Sequence, residues 1–162
     1  MTQFSNTDHE MMARAIQLAK RGQYTTAPNP NVGCVISDSQ GVILGEGWHK
    51  KAGTPHAEVF ALEQAGHKAK GATAYVTLEP CSHYGRTPPC ADSLIGAGVT
   101  RVVAAMVDPN PLVSGNGLLK LQEAGIKTQH GLLQAAAEKL NRGFIKRMGT
   151  GKPWVTVKLA AS

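Results

Sequence analysis

The sequence predicts an α/β fold in three layers, a mixed five-stranded sheet with helices on both faces. Three observations carry this reading. An amphipathic stripe of helical period opens the chain, two short β-branched runs joined by a turn follow it, and helical and strand-like segments alternate from there on. The hairpin supplies antiparallel strands, and strands joined through one helix run parallel by right-handed crossovers, so the sheet is mixed. At 162 residues the chain is one ordinary domain, long enough to bury roughly two-thirds of its unfolded surface.

From Asp8 to Arg21, the residues Met11, Met12, Ala15, Ile16, Leu18 and Ala19 form the helical stripe, with Ser5 or Thr7 as cap and Gly22 as stop. The runs "NVGCVIS" and "GVILGEGW" flank "DSQG" and read as a hairpin. "HAEVFALEQAG" is helical up to Gly66, "ATAYVTL" is a strand, "CADSLIGAG" a helix and "VTRVVAAM" a strand. "GNGLLKLQEAG" gives a helix ending at Gly125, "IKTQHG" a fifth strand, and "LLQAAAEKLNRGFIKRM" one longer helix despite Gly143. Gly149, Gly151 and Pro153 then mark a boundary, which sets a domain over 1–148 and a linker with a β-type run, "WVTVKLA", over 149–162. That run is either the first strand of something further or an edge strand of the same sheet.

The net charge of +6 points to an anionic partner, and a phosphorylated small molecule and a tRNA both fit it; ordinary solubility charge is the plainer reading. Aromatic residues make up only 5% of the chain and are not interleaved with a basic run, which argues against stacking on single strands. We therefore expect a small-molecule partner, no nucleic acid and no membrane, with homo-oligomerisation left open. Three cysteines cannot all pair, and a domain of this size needs no disulfide, so metal binding or buried thiols in a reducing compartment, the cytoplasm, are expected. No apolar run reaches the roughly 18 residues of a membrane span.

Chemistry concentrates on His56, Cys81 and Cys90. Zinc favours imidazole and thiolate, and a catalytic site keeps three protein ligands with one position open. Glu58 lies two residues from His56 in the first turn of a helix, where its carboxylate can reach a zinc-bound water without being a ligand. Zinc lowers the pKa of its water from ~15.7 towards ~7, and Glu58 is placed to carry the proton. Cys34, inside an apolar strand, reads as a buried thiol. His83 is a candidate fourth ligand that would close the site and leave a structural zinc. His9, His67 and His130 have no motif around them and read as surface residues, and Glu79, before Pro80 at the strand end, can orient a nearby loop but is given no chemistry.

The order "HAE", "EPC" and a second cysteine resembles the signature of zinc-dependent nucleobase deaminases, except that eight residues, "SHYGRTPP", replace the usual two between the cysteines. Together with "TAPNPNVG", "GWH", "HAEVFAL", "GVTRVVAAMVDPNPLVSGNG" and "LLKLQEAGI", this closely resembles the deaminase domain of the bifunctional riboflavin-biosynthesis deaminase-reductases, from about Asp8 to Ala161. The resemblance implies a cytidine deaminase-like α/β/α fold and one zinc ion per chain, held by His56, Cys81 and Cys90, with Glu58 as proton shuttle. It implies hydrolytic deamination of 2,5-diamino-6-(5-phosphoribosylamino)pyrimidin-4(3H)-one, a phosphoribosyl pyrimidine, to 5-amino-6-(5-phosphoribosylamino)uracil and ammonia.

By the same resemblance Asn29 and His49 contact pyrimidine or sugar, His83, Arg86 and Thr87 contact substrate with Arg86 on the phosphate, and Asp108 and Asn110 line the ribosyl end. NADPH belongs to a second, reductase domain, of which "KPWVTVKLAAS" resembles the opening, so reductase activity is not expected of this chain. Asn31 stands where the family more often has an apolar or small polar residue. From the residues alone, Asn29 reads equally as a turn former, His49 as an exposed strand end and Arg86 as a surface cation. Two other functions stay open: a zinc deaminase acting on another base, nucleoside or tRNA, and a non-catalytic zinc module for an anionic partner.

Overall fold

The computed structural model describes residues 3–85 and 88–160. In chain order these form α1 (Asn6–Lys20), β1 (Gly33–Ser37), β2 (Ile43–Trp48), α2 (Ala57–Ala65), β3 (Thr73–Val76), α3 (Cys90–Ala97), β4 (Arg101–Ala104), α4 (Asn116–Glu123), β5 (Lys127–His130), α5 (Gln134–Leu140) and α6 (Arg142–Thr150). Ser5 is the cap of α1: its hydroxyl accepts the Asp8 N–H at 3.1 Å while the Asp8 carboxylate accepts the Ser5 N–H at 2.9 Å. Two otherwise unpaired donors are thereby satisfied at once. The apolar stripe of α1 is buried as its period requires.

The sheet has the order β2-β1-β3-β4-β5. β1 runs antiparallel to both β2 and β3, whereas β3, β4 and β5 are parallel, each joined to the next through one helix. All five residues of β1 are buried, as expected for a strand covered on both faces. The glycines show which helix covers which face. A Cβ at Gly33 would strike the backbone of Ala15 and Ala19 in α1, whereas one at Gly45 or Gly47 would fall on the carbonyls of Ala61 and Ala57 in α2. Cys34 pairs with Gly47 and Ile36 with Gly45, so these four share the α2 face, and Gly33 takes the other. α3 packs beside α2 and α4 beside α3, while α5 joins α1. The three layers are complete.

Two expectations need correction. The single long helix after β5 is two helices, and the break falls at Asn141, with φ −110° and ψ 17°, rather than at Gly143. The cause lies far away in sequence. The Asn141 side chain accepts the Asn31 N–H at 2.7 Å and donates to the Asn31 carbonyl at 2.9 Å, while the Asn31 amide donates to the Leu140 carbonyl at 3.3 Å. This reciprocal pairing pulls the backbone out of the helical region and joins the α5–α6 corner to the segment before β1. The second correction concerns the tail. α6 runs through Thr150 and stops at Gly151 in the left-handed conformation, φ 68°, so the helix crosses the expected boundary at 148. Residues 152–160 are exposed and belong to no ladder of the sheet, so they are not its edge strand.

Candidate active site

His56 occupies the cap position of α2 and Glu58 its first turn. With no side chain on Gly45 or Gly47, α2 lies with its backbone directly on β2, and this contact fixes how deep its first turn sits. Glu58 is buried at 3% exposure. Cys81 follows the exit of β3, and Cys90 is the first residue of α3. Pro88 and Pro89 precede it, where a missing N–H costs a helix nothing. The Cys90 N–H donates to Cys81 Sγ at 3.2 Å, and the Ala91 N–H to the Cys81 carbonyl at 3.1 Å. The insert is thus closed at its base, and His83, Tyr84, Gly85 and Pro88 stand exposed beyond it.

His56 Nδ1 lies 3.2 Å from Cys90 Sγ and 3.7 Å from Cys81 Sγ, and the three ligand atoms all fall within 4.8 Å of one another. A tetrahedral zinc with standard Zn–S and Zn–N lengths sets neighbouring ligand atoms about 3.6–3.8 Å apart, so the set fits that ion with little rearrangement. Among the described residues the group stops at three. His83 stands on the rim of the cleft, outside it.

The charges suit the same use. The hydrogen bond with Cys81 raises the pKa of His56 against the opposing effect of burial. The hydrogen bond from Cys90, followed by those from His56 and the Cys90 N–H, holds the Cys81 thiol down to about 4, and Cys90 moves far upward in return. The two sulfurs therefore titrate as a pair. Burial pushes the Glu58 carboxyl up, only partly offset by His56, its own N–H and the Cys90 thiol. A carboxyl so placed exchanges protons nearer neutrality than an exposed one.

These groups open into a cavity of about 190 Å³. Its polar wall comprises Asn29, His49, His56, Glu58, Glu79, Cys81, His83 and Asp108, and its apolar wall Pro30, Val32, Leu78 and Phe144. A wider hollow of about 510 Å³ shares Asn29, His56, Cys81 and His83 with it and adds Gly53, Thr54, Pro55 and Gly85, so the two form one cleft. His49 is buried, not the exposed strand end that its position alone allowed. Its Nδ1 lies 3.2 Å from the Pro55 carbonyl and its Nε2 3.1 Å from Asn29 Nδ2. A carbonyl only accepts, so Nδ1 carries the proton and Nε2 accepts from the Asn29 amide. Burial lowers the pKa of His49, the proximity of His56 adding to this, and the neutral ring matches this arrangement.

Asp108 stands on the opposite wall, its carboxyl pushed up by burial and accepting the Asn110 N–H at 2.8 Å. Asn110 does not line the cleft; its side chain accepts the Leu112 N–H at 3.1 Å. Arg86 and Thr87 lie outside the described residues. Cys34 is fully buried in β1, where burial pushes its thiol well up, and His9, His67 and His130 are exposed. Phe144 is a wall residue that sequence reasoning missed, and Glu79 one that it named without chemistry. Phe144 lies in the first turn of α6, just beyond the Asn141 corner, and nothing local signals its place in the cleft. Glu79 had a signal, an acidic residue at a strand exit two positions before a ligand.

Residues 5–106 match the cytidine and deoxycytidylate deaminase zinc-binding region, and the chain belongs to that family of zinc-binding deaminases. Within it, the chain is 66% identical over 155 residues to the riboflavin biosynthesis protein RibD of Escherichia coli, covering 96% of this chain and 42% of that protein. It is 56% identical over 146 residues to the diaminohydroxyphosphoribosylamino-pyrimidine deaminase of Buchnera aphidicola subsp. Schizaphis graminum, covering 90% of this chain and 99% of that one. The solved structure of Acinetobacter baumannii RibD superimposes with a TM-score of 0.89 at 60% identity, over 91% of this chain and 41% of that one. The chain thus spans about two-fifths of the length of its RibD relatives and nearly all of the shorter deaminase. Among the described residues, no helix is long and apolar enough to cross a membrane.

Proposed function

We propose that this chain catalyses hydrolytic deamination of 2,5-diamino-6-(5-phosphoribosylamino)pyrimidin-4(3H)-one. Water replaces the ring 2-amino group, ammonia leaves, and 5-amino-6-(5-phosphoribosylamino)uracil is the product. One observation carries the reading: three converging ligands, His56, Cys81 and Cys90, beside a buried carboxylate, Glu58, at the floor of a cleft. The relative named for this activity, nearly all of whose length the chain covers, supports the choice of substrate.

His56, Cys81 and Cys90 would hold one zinc ion, which when bound would supply a Lewis acid able to make water a nucleophile at neutral pH. Glu58 takes one proton of the attacking water and delivers it to the ring nitrogen; it then takes the proton of the hydroxyl now on the ring carbon and passes it to the amine, so that the C–N bond breaks, ammonia leaves and the carbonyl of the product forms. The Asn29 amide, fixed by His49, turns its oxygen to the N–H edge of the pyrimidine. The wider hollow beside Thr54, His83 and Gly85 takes the phosphoribosyl group; by the family resemblance Arg86 and Thr87 of the insert are its further partners, Arg86 for the phosphate, and Asp108, which accepts the Asn110 N–H, serves it from the adjoining cavity. We assign the deaminase to 1–148 and the rest of α6, and read the exposed β-type tail as a segment that pairs outside this sheet.

The test is ammonia release from the phosphoribosyl diaminopyrimidine, from cytidine and from tRNA, each with and without chelator. Release from the first alone, abolished by chelator and restored by zinc, is expected. No release from the zinc-loaded protein, or equal release from the other two, would overturn the reading.

A further inference from the structure

The exit of β3 carries a buried carboxylate to which the proposed chemistry gives no task. Glu79 is 5% exposed and lies in the cavity wall. Its Oε2 accepts the backbone N–H groups of Asp108 and Gly115, each at 2.9 Å, and its Oε1 accepts those of Gly117 at 2.8 Å and Leu118 at 3.3 Å. Four acceptor sites, all that a carboxylate offers, are thereby filled. Its own N–H donates to the Met106 carbonyl at 2.9 Å. Gly117 comes this close because it lacks a side chain, since a Cβ there would fall on the Pro80 carbonyl.

The four donors come from one stretch of chain, the turn between β4 and α4 and the first turn of that helix. Among the described residues, the other hydrogen bonds of 108–116 stay within the segment or lead into α4. Glu79 is therefore what ties this stretch laterally to the sheet, and it does so two residues before Cys81. The cleft wall bearing Asp108 and the strand exit bearing a metal ligand share one anchor.

We infer that Glu79 is a positioning residue that sets the width of the cleft on the side facing the non-reacting part of the substrate. The inference rests on reading the cleft as the substrate site. Glu79 makes no contact with reacting atoms. It holds Asp108 and the 108–118 wall at a fixed distance from the His56, Cys81 and Cys90 group, so losing it should loosen binding while leaving the proton carrier in place.

Glu79→Gln keeps the volume but turns an amide N–H₂ against two N–H donors, leaving them buried and unpaired. We expect amide exchange across 108–118 to accelerate at least ~10-fold while β4 keeps its protection. We expect KM to rise ~10-fold with kcat within ~3-fold and zinc content unchanged. Glu79→Asp, which retains the charge with a shorter reach, should fall between the two. Should Glu79→Gln fail to fold, Glu79→Asp and Gly117→Ala decide, because the added methyl group pushes the same wall off Pro80 with Glu79 intact and should also raise KM. A carboxylate that only stabilised the fold would lower the melting temperature and leave KM alone at temperatures where the variant is folded. That result, unchanged exchange at 108–118, or a fall in kcat at constant KM would each overturn the inference. If the wild-type protein releases no ammonia from the substrate, it is the substrate reading that fails, and the exchange pattern alone decides whether Glu79 is the anchor.

Discussion

Two regions of this molecule each bury a carboxylate, and the two carboxylates behave in opposite ways. Asp8, between α1 and the sheet, accepts hydrogen bonds from the Ser5 N–H at 2.9 Å, the Tyr75 hydroxyl at 2.7 Å, and the two Arg101 amino groups at 2.6 and 3.1 Å. Burial alone raises its pKa, but Arg101, Ser5 and Tyr75 together hold it well below the carboxylate range. Tyr75 is pushed up to about 12 by burial and by its bond to Asp8. Glu58, under the cleft, is as buried and has far weaker support, so burial prevails and its carboxyl moves up. Burial does not decide what a carboxylate does; the donors around it do. A carboxylate with a full set of donors stays charged and ties elements together, whereas one with few can carry a proton.

The sharpest test of this contrast is Glu58→Gln. It should lower kcat by about 10²–10⁴-fold, the usual contribution of general acid–base catalysis, with zinc content and melting temperature unchanged, measured by ammonia release, metal analysis and calorimetry. A loss of stability without loss of turnover would break the contrast at once. Asp8→Asn should do the reverse, costing about 3 kcal/mol because it leaves the Arg101 charge in a largely buried site without its partner, while kcat of the folded enzyme is unchanged. This effect depends on pH. Because the folded state lowers the Asp8 pKa, its stabilisation is fully present above the unfolded value of about 3.9 and is lost as pH falls from there towards the folded value. Denaturation curves of wild type and Asp8→Asn should therefore stand apart at pH 7 and draw together progressively as pH falls below about 3.9.

Smaller effects sharpen the same picture. Asn141→Ala should cost about 1–2 kcal/mol, because it strips the partners from the half-buried backbone groups of Asn31, and should raise KM modestly by moving Phe144. Arg14→Ala, which removes a partly exposed pair with Glu46, should cost only about 0.5 kcal/mol. Urea titration measures both.

The Asn141 break also shows where sequence reasoning reached its limit. The hairpin, the parallel strands and the cap at Ser5 are written in local periods and turn residues, and the structure places them where those signals lie. His56, Glu58, Cys81 and Cys90 were legible because zinc chemistry restricts residue types and helix starts restrict positions. Asn141 looks like an ordinary interior helix residue, and only Asn31, more than a hundred residues earlier, makes it a corner. The burial of His49 and the four bonds of Glu79 were invisible for the same reason. Each depends on backbone groups that only the tertiary fold brings close.

The contact between β2 and α2 bears on which changes this protein tolerates. Gly45 and Gly47 do not line the cleft, and a survey restricted to its lining would place them among the neutral sites. Yet a methyl group at either would lodge against the α2 backbone and lift the turn that carries His56 and Glu58. The exposed tip of the insert, closer to the substrate, has room for change at Tyr84. In a library of random variants, selection for activity should therefore tolerate changes at Tyr84 and purge the two glycines, reversing the order that proximity suggests.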